Sequence, residues 1–300
     1  MTSESVKSNG WASYPAGAWN AKRPASLVND VPFWQYCAER YGQPVLDLCC
    51  GNGRTAIPLA ELGYEVIGVD INPDFIASAR ERAGADERLP VAFEVQDIVH
   101  LRLDGKFRLA IMPDWSFQVL LTQEDQLSFL QSLRQHLRPG GVFAFNVFIP
   151  FNRQRGLRES DGKYEWAPDP SYHAGAPRTY DPITQIETLV ESNIHTVQLR
   201  HTSLSELELL FRLTGFEIVE LYGDVDRRPF TGGGDEDYTI VVASSRVASN
   251  KNRTVALTGM LAVRGFAVPV ENELTLGLRR GMWRGQKEIY PVKESSFRPR

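Results

Sequence analysis

The chain has 300 residues, 42% of them hydrophobic, 10% aromatic and 23% charged, enough to bury a sizeable core in one large α/β domain or in two. Its three cysteines exclude a disulfide framework, and no Cys-x-x-Cys or clustered Cys/His spacing suits a metal. The net charge of −4 hides ten Lys/Arg against four Asp/Glu in residues 251–300, a surplus of +6 that leaves −10 elsewhere, and such an acidic body disfavours nucleic acid.

No apolar run approaches a membrane span, since residues 142–151 carry Asn146 inside, and the first ten residues lack the apolar centre of a secretion signal. A soluble, cytoplasmic chain with no membrane partner is expected. Residues 1–29, rich in Ser, Ala, Gly and aromatics, read as an arm or lid in which Trp11, Tyr14 and Trp19 pack. Asn29 or Asp30 can cap a helix with Pro32 in its first turn, running to about Tyr41. The apolar run 45–50 reads as a strand broken at Gly51-Asn52-Gly53, and a helical spacing of Ile57, Leu59, Ala60 and Leu62 follows, stopped by Gly63.

The alternation repeats. Residues 65–69 form a strand ended by Asp70, 73–84 a helix capped by Asn72, and Val91–Val95 a strand ended by Asp97. Phe107–Met112 is a strand ended by Pro113-Asp114-Trp115. An amphipathic helix over 124–137 and a turn at Pro139-Gly140-Gly141 lead into a strand over 142–148. Strands and helices at these lengths predict a mostly parallel sheet wound on both faces. Residues 150–202 break the rhythm, with 153–177 read as loop and 186–199 as an antiparallel hairpin or short strands. A helix over 203–214, capped by Ser203 or Ser205 and ended by Gly215, then precedes strands at Phe216–Tyr222 and 238–244. Residues 247–300 are a basic extension, in which Arg279, Arg280 and Arg284 read as solvated charge or as a subunit contact.

The chemistry concentrates in Val45-Leu46-Asp47-Leu48-Cys49-Cys50-Gly51-Asn52-Gly53-Arg54. Glycines at a first strand–helix turn let the backbone approach a ligand closely. Asp70 closes the second strand, where a carboxylate can accept from two ribose hydroxyls. Residues 51–56 also satisfy G-x-G-x-x-A, a weak signal for a nicotinamide dinucleotide, so an NAD-dependent oxidoreductase is one reading. Asp47 points elsewhere, because an anion inside the first strand suits a ligand bearing an amino group and repels a pyrophosphate. Asp97 ends the third strand, placed for an adenine amino group.

Taken in order, these motifs resemble the class I S-adenosylmethionine-dependent methyltransferases over roughly residues 30–244. The small-molecule, natural-product branch is the most similar, on Asp30-Val31-Pro32-Phe33-Trp34 before the glycine loop and Pro113-Asp114-Trp115-Ser116-Phe117 after the fourth strand. The resemblance implies a doubly wound, Rossmann-like seven-stranded sheet of order 3-2-1-4-5-7-6, with an antiparallel insertion and a C-terminal extension. The methyltransferase domain would span 30–246 and its substrate-covering insertion about 150–202. S-adenosylmethionine would be the cofactor, with Asp47, Gly51 and Gly53 cradling its methionine portion and Asp70 binding the ribose. Ile71 would pack on the adenine, Asp97 and Ile98 would hold its edge, Pro113 to Trp115 would line the methyl side, and Tyr14 would be a lid contact. Cys49 stands where the family has its first glycine.

The family often carries a histidine two positions after the Ser-Phe pair, and here that place is Val119, beside Gln118. A hydroxyl acceptor profits from a general base, whereas an amine needs only to be neutral and well aimed. N-methylation of an amine on a natural product or amino sugar is therefore the reading, with O-methylation and a non-catalytic S-adenosylmethionine-binding protein as alternatives. Asp114, Trp115, Phe117 and His173 are the catalytic candidates. Asp114 reads equally as a turn residue, Trp115 and Phe117 as core aromatics, and His173 as a loop residue; His195 could also supply a base. Asp114, Glu165, Asp169 and Asp181 could hold a cationic acceptor. A homo-oligomer through the insertion or the extension is left open.

Overall fold

Val45–Leu48 form β1, buried at all four positions as a strand covered on both faces must be. The computed structural model describes residues 10–17, 29–84, 88–148, 157–160, 163–166, 178–190, 196–232 and 239–246, with side chains placed except at 157–160, 163–166, 178 and 190. Trp19, Asp169, His173, His195 and the whole extension from 247 lie outside the described residues, as does the side chain of Glu165. Among the described residues no helix is long and apolar enough to cross a membrane.

The strands after β1 are β2 (Val66–Asp70), β3 (Val91–Val95), β4 (Phe107–Met112), β5 (Leu137–Val147), β6 (Leu157–Ser160), β7 (Lys163–Trp166), β8 (Arg178–Asp181), β9 (Ile186–Val190), β10 (Thr196–Arg200), β11 (Phe216–Tyr222) and β12 (Thr239–Ser245). Seven of them form one sheet in the order β11-β12-β5-β4-β1-β2-β3. Numbered within that sheet alone, this is the expected 3-2-1-4-5-7-6. The β1–β2, β1–β4, β2–β3 and β4–β5 pairs are parallel, and β12 runs antiparallel between β5 and β11.

The side-chain period of two divides the core between the two faces. Leu46, Leu48, Ala110, Met112, Phe143, Phe145 and Val241 face α4 (Gln123–His136) and α5 (Leu204–Thr214), which contribute Phe129, Leu133, Leu207 and Phe211. Val45, Leu109, Ile111, Val142, Ala144, Ile240 and Val242 face α1 (Val31–Tyr41), α2 (Ala56–Glu61) and α3 (Pro73–Ala83), with Phe33, Trp34, Cys37, Leu59 and Ile76. Asp47 and Asn146, two residues from Val45 and Ala144, share this second face near the carboxyl ends of β1 and β5. Loops beyond those ends are where ligands bind in open α/β sheets.

The helix caps follow the sequence except at α1. Asn72, Thr122 and Ser203 each accept a backbone N–H from the first turn of α3, α4 and α5. Asp30 occupies the cap position of α1 but makes no capping bond. Its carboxylate is drawn instead to the Trp34 indole and the Arg54 guanidinium, which are stronger claims on a buried charge. Residues 139–141, expected as a turn, lie inside β5, where the register against β4 is irregular between Phe107 and Leu109.

The insertion is a second, antiparallel sheet in the order β10-β9-β8-β7-β6. The expected hairpin over 186–199 is β9 and β10. The loop expected over 153–177 instead contains β6 and β7, paired from Leu157↔Trp166 to Ser160↔Lys163. Lys163-Tyr164-Glu165-Trp166 alternates polar and aromatic residues with the strand period of two, a signal four residues long inside a stretch read as loop for its prolines and glycine.

Candidate functional site

The turn after β1 carries three residues with left-handed backbone, Cys49 at φ 55°, Gly51 at φ 55° and Gly53 at φ 78°. The two glycines differ in purpose. A Cβ on Gly51 would meet nothing within 4 Å, so its missing side chain leaves open space beside the backbone N–H groups. A Cβ on Gly53 would lie 2.8 Å from Ile57 and 3.1 Å from Phe93, so Gly53 serves the packing of α2 on the sheet. Cys49 takes a conformation that costs a non-glycine residue about 1–2 kcal/mol. Burial, with the charges of Asp70 and Asp47, pushes its thiol well above the usual range, as it does for Cys50. Both are therefore poor nucleophiles.

Asp47 is 1% exposed, and neither carboxylate oxygen has a hydrogen-bond partner. Burial pushes its pKa up to about 8; Arg54 opposes that shift, Asp30 and Asp70 reinforce it, and the nearby Ala56 N–H lowers it slightly without forming a hydrogen bond. An orphaned buried carboxylate is costly unless a cation completes it. An ammonium group would meet that requirement, and a pyrophosphate would not.

Asp70 closes β2 with both oxygens engaged from below. Oδ2 accepts from Gly51 N at 2.9 Å and Oδ1 from Asn72 N at 2.9 Å. Burial raises its pKa to about 6 against those backbone donors and Ile71 N–H. Each carboxylate oxygen still has a lone pair for a ribose hydroxyl. Ile71 is half-buried beside it, and Ile98 is 5% exposed within the core cluster of Leu46 and Val69. Asp97 caps the 3₁₀ turn Ile98–His100 through Val99 N at 3.0 Å, and its other oxygen lies 3.8 Å from His100 Nδ1. Asp47, Asp70, Asp97 and the glycine loop therefore line the ends of β1, β2 and β3 as one row.

After β4 the chain is strained in the same sense. Asp114 and Trp115 have φ of 63° and 57°, consecutive left-handed residues without glycine. The Ser116 hydroxyl donates to Pro113 O at 2.7 Å and Asn146 Oδ1 accepts from Trp115 N at 3.3 Å, bonds that hold the turn. Pro113 is buried and Asp114 half-buried, while the Trp115 ring lies edge-on to Phe148 at 6.1 Å. Phe117 is fully buried, 5.0 Å from Phe145 and 6.1 Å from Phe129, so it is a core aromatic on the α4 face.

Arg54 ties the row together. Its guanidinium donates to both oxygens of Asp30, through Nη2 at 3.0 Å and through Nη1. Burial works against its charge, but Asp30, Asp114 and Asp47 outweigh burial and hold it ionised. Four carboxyl groups, Asp47 among them holding its proton up to about pH 8, surround one guanidinium and leave this corner acidic.

Sequence reasoning did not find three other features. Asn146 Nδ2 is buried with no hydrogen-bond partner; a polar residue inside the apolar run 142–148 was the available signal. His201 Nε2 lies 2.9 Å from Glu187 Oε2, both fully buried, with the imidazole 4.7 Å from Phe148 and 5.1 Å from Tyr180. Arg200 donates to Gln126, Thr202, Gln185 and Glu206 at 2.6–3.2 Å, clamping β10 to α4 and α5. Asp181, expected as an acid for a cationic acceptor, binds Ile183 N and Thr184 in an exposed turn of the second sheet.

A doubly wound sheet with a glycine loop after β1, an acid ending β2 and an acid capping the turn after β3 is an arrangement suited to a nucleoside-bearing ligand. Residues 45–141 match the family model described as a methyltransferase domain. The Bacillus subtilis (strain 168) protein YqeM, named as a methyltransferase, is 32% identical over 108 residues, 36% of this chain and 43% of that protein, so the match spans less than half of its length. The cypemycin N-terminal methyltransferase of Streptomyces sp is 26% identical over 210 residues, 65% of this chain and 81% of that one. The CcbJ methyltransferase from Streptomyces caelestis superposes with a TM-score of 0.66 at 22% identity, covering 79% of this chain and 98% of its own. CalS10, an amino pentose methyltransferase from Micromonospora echinaspora solved with S-adenosylmethionine bound, gives 0.55 at 16% identity, covering 76% and 96%. Residues 45–141 thus match a methyltransferase domain, and the solved methyltransferases share the fold of the chain; these likenesses favour that reading of residues 51–56 over the nicotinamide one.

Proposed function

We propose that the protein transfers the methyl group of S-adenosylmethionine to an amine on a small molecule of the natural-product or amino-sugar kind. The observation that carries this reading is the acidic surplus around Arg54, where the carboxylates of Asp30, Asp70 and Asp114 outnumber one guanidinium and Asp114 stands at the turn after β4. Such a site draws in a cationic amine and stabilises the positive charge that remains on nitrogen after transfer. Relatives named for N-terminal and amino pentose methylation support the same acceptor class.

The assigned roles follow from position. Asp47 holds the methionine ammonium, the open side of Gly51 admits the methionine backbone, and Asp70 takes the ribose hydroxyls. Asp97 and Ile98 meet the adenine edge, and Ile71 packs on its face. The bound cofactor supplies an electrophilic methyl on a sulfonium and leaves as a neutral thioether. Asp114 accepts a hydrogen bond from the acceptor N–H, turning the nitrogen lone pair toward the methyl carbon, and takes up the proton that the amine sheds. Trp115 and Phe148 wall the reacting atoms from water. Alignment of this kind supplies up to about 7–11 kcal/mol without further chemistry. We assign the catalytic body to residues 30–246 and an N-terminal arm to 1–29.

O-methylation would draw on the buried His201–Glu187 pair behind Phe148, the observation that favours it. The test is a panel of paired acceptors, each amine beside its hydroxyl analogue, scored by S-adenosylhomocysteine formed. Turnover of amines, reduced about 10²-fold in Asp114→Asn, is expected. Turnover of the hydroxyl analogues alone would reject the amine reading.

A further inference from the structure

Asn72 caps α3 with one half of its amide. Oδ1 accepts from Asp74 N at 2.9 Å and from Phe75 N at 3.4 Å. Capping leaves the donor half unused, yet here both protons of Nδ2 are committed to the N-terminal arm, at 3.0 Å to Trp11 O and 2.9 Å to Tyr14 O. The backbone N–H of Asn72 donates to Asp70 Oδ1, and its carbonyl accepts from Ile76 N at 3.2 Å. The residue is 1% exposed with every polar group engaged. That also fixes the amide orientation, since a flip would set donors against donors at α3 and acceptors against acceptors at the arm.

The arm is seated on both parts of the fold. Tyr14 is 1% exposed, packs with Phe75 of α3 and Val197 of β10, and lies 5.2 Å from the Trp11 ring. Gly10 approaches β10 so closely that a Cβ there would lie 2.5 Å from Thr196 O. One residue therefore joins the carboxylate that ends β2, through its backbone N–H, to the start of α3 and the two carbonyls that hold the arm, through its side chain.

We propose that Asn72 is a positioning residue that couples the cofactor site to the seating of the N-terminal arm. The inference rests on Asp70 as the ribose ligand. Asp70 is set by Asn72 N–H and the arm by the Asn72 amide, so ordering either one orders the corner that the other needs. By linkage the effect is reciprocal: a seated arm raises cofactor affinity, and a bound cofactor holds the arm.

Asn72→Asp and Asn72→Ser both keep a capping oxygen for α3 and both remove the Nδ2 donors. The serine variant adds no charge beside Asp70. In the full chain, hydrogen–deuterium exchange is followed over residues 10–17 and over α3, without ligand and with S-adenosylhomocysteine, and affinity for that ligand is measured by calorimetry. Both variants should exchange at least about tenfold faster in the arm and bind about tenfold more weakly, the scale of losing one or two buried hydrogen bonds, with α3 as protected as before. A wild-type affinity with a loosened arm would overturn the coupling, and so would an arm protected as in the wild type. Weakening in the aspartate variant alone would reduce the effect to charge repulsion and overturn it too. Failure of the wild-type chain to bind S-adenosylhomocysteine would instead remove the cofactor reading, whereas exchange in the ligand-free variants would still report on the arm contact.

Discussion

Gly51 N–H donates to Asp70 Oδ2 at 2.9 Å, joining the loop after β1 to the end of β2 across 19 residues of sequence. The bond orients the carboxylate before any ligand arrives and fixes the glycine loop against it, so part of the ordering cost of binding is already met in the fold.

Asp70→Ala removes two hydroxyl-binding oxygens and also strands Gly51 N–H and Asn72 N–H. Affinity for S-adenosylhomocysteine should fall by about 100-fold, and stability by about 1–3 kcal/mol. Calorimetry and thermal unfolding check the two effects separately. Binding within twofold of wild type would contradict the ribose assignment.

Asp47 gives a pH dependence of definite sign. Its pKa rises from 3.8 in the unfolded chain to about 8 in the fold, so the folded state holds the proton more tightly. The stability it contributes is complete below about pH 4 and is lost as pH rises through 8. Asp47→Asn should flatten that decline in the ligand-free protein. Pairing with an ammonium requires the ionised form, so S-adenosylhomocysteine binding at pH 7 should release up to about one proton, and the asparagine variant should release none. Calorimetry in buffers of different ionisation enthalpy measures this directly; equal proton release from both proteins would reject the pairing.

The sheet was legible from the sequence, and much of the site was not. β3, β4 and β11 have the expected bounds because their apolar runs end abruptly at Asp97, at Pro113 and before Gly223. The resemblance also supplied the strand order correctly. Local pattern could not reveal that Asp30 pairs with Arg54, 24 residues away, instead of capping α1, because no short-range signal marks a buried ion pair. β6 and β7 are four residues each, too short for the Lys163-Tyr164-Glu165-Trp166 alternation to stand out between prolines and glycine. Glu187 lies in β9 and His201 one residue past β10, and only the fold of the second sheet brings them to 2.9 Å.

Arg54 and Asp30 should behave as one unit. Arg54→Met leaves a 2%-exposed carboxylate with only the Trp34 indole as partner, at a cost of about 3–5 kcal/mol. The double variant Asp30→Asn/Arg54→Met should be less destabilised than the sum of the single ones by at least about 1 kcal/mol. Denaturant unfolding of the four proteins gives the coupling energy, and strict additivity would refute the pairing.

Cys49 tests the left-handed turn. Cys49→Gly relieves a conformation that costs about 1–2 kcal/mol but frees the unfolded chain, so stability should stay within about 1 kcal/mol of wild type. Cys49→Val places a β-branched side chain at φ 55° and should lose about 2 kcal/mol or more. Thermal unfolding of both variants decides it; a neutral valine would mean that the turn is not strained.

The central claim is that this acidic corner holds S-adenosylmethionine, and calorimetric titration of the full chain with S-adenosylhomocysteine, beside NADH, tests it most directly. Saturable one-to-one binding of S-adenosylhomocysteine and no heat from NADH is the predicted result. Binding of NADH, or no binding of S-adenosylhomocysteine, would contradict it.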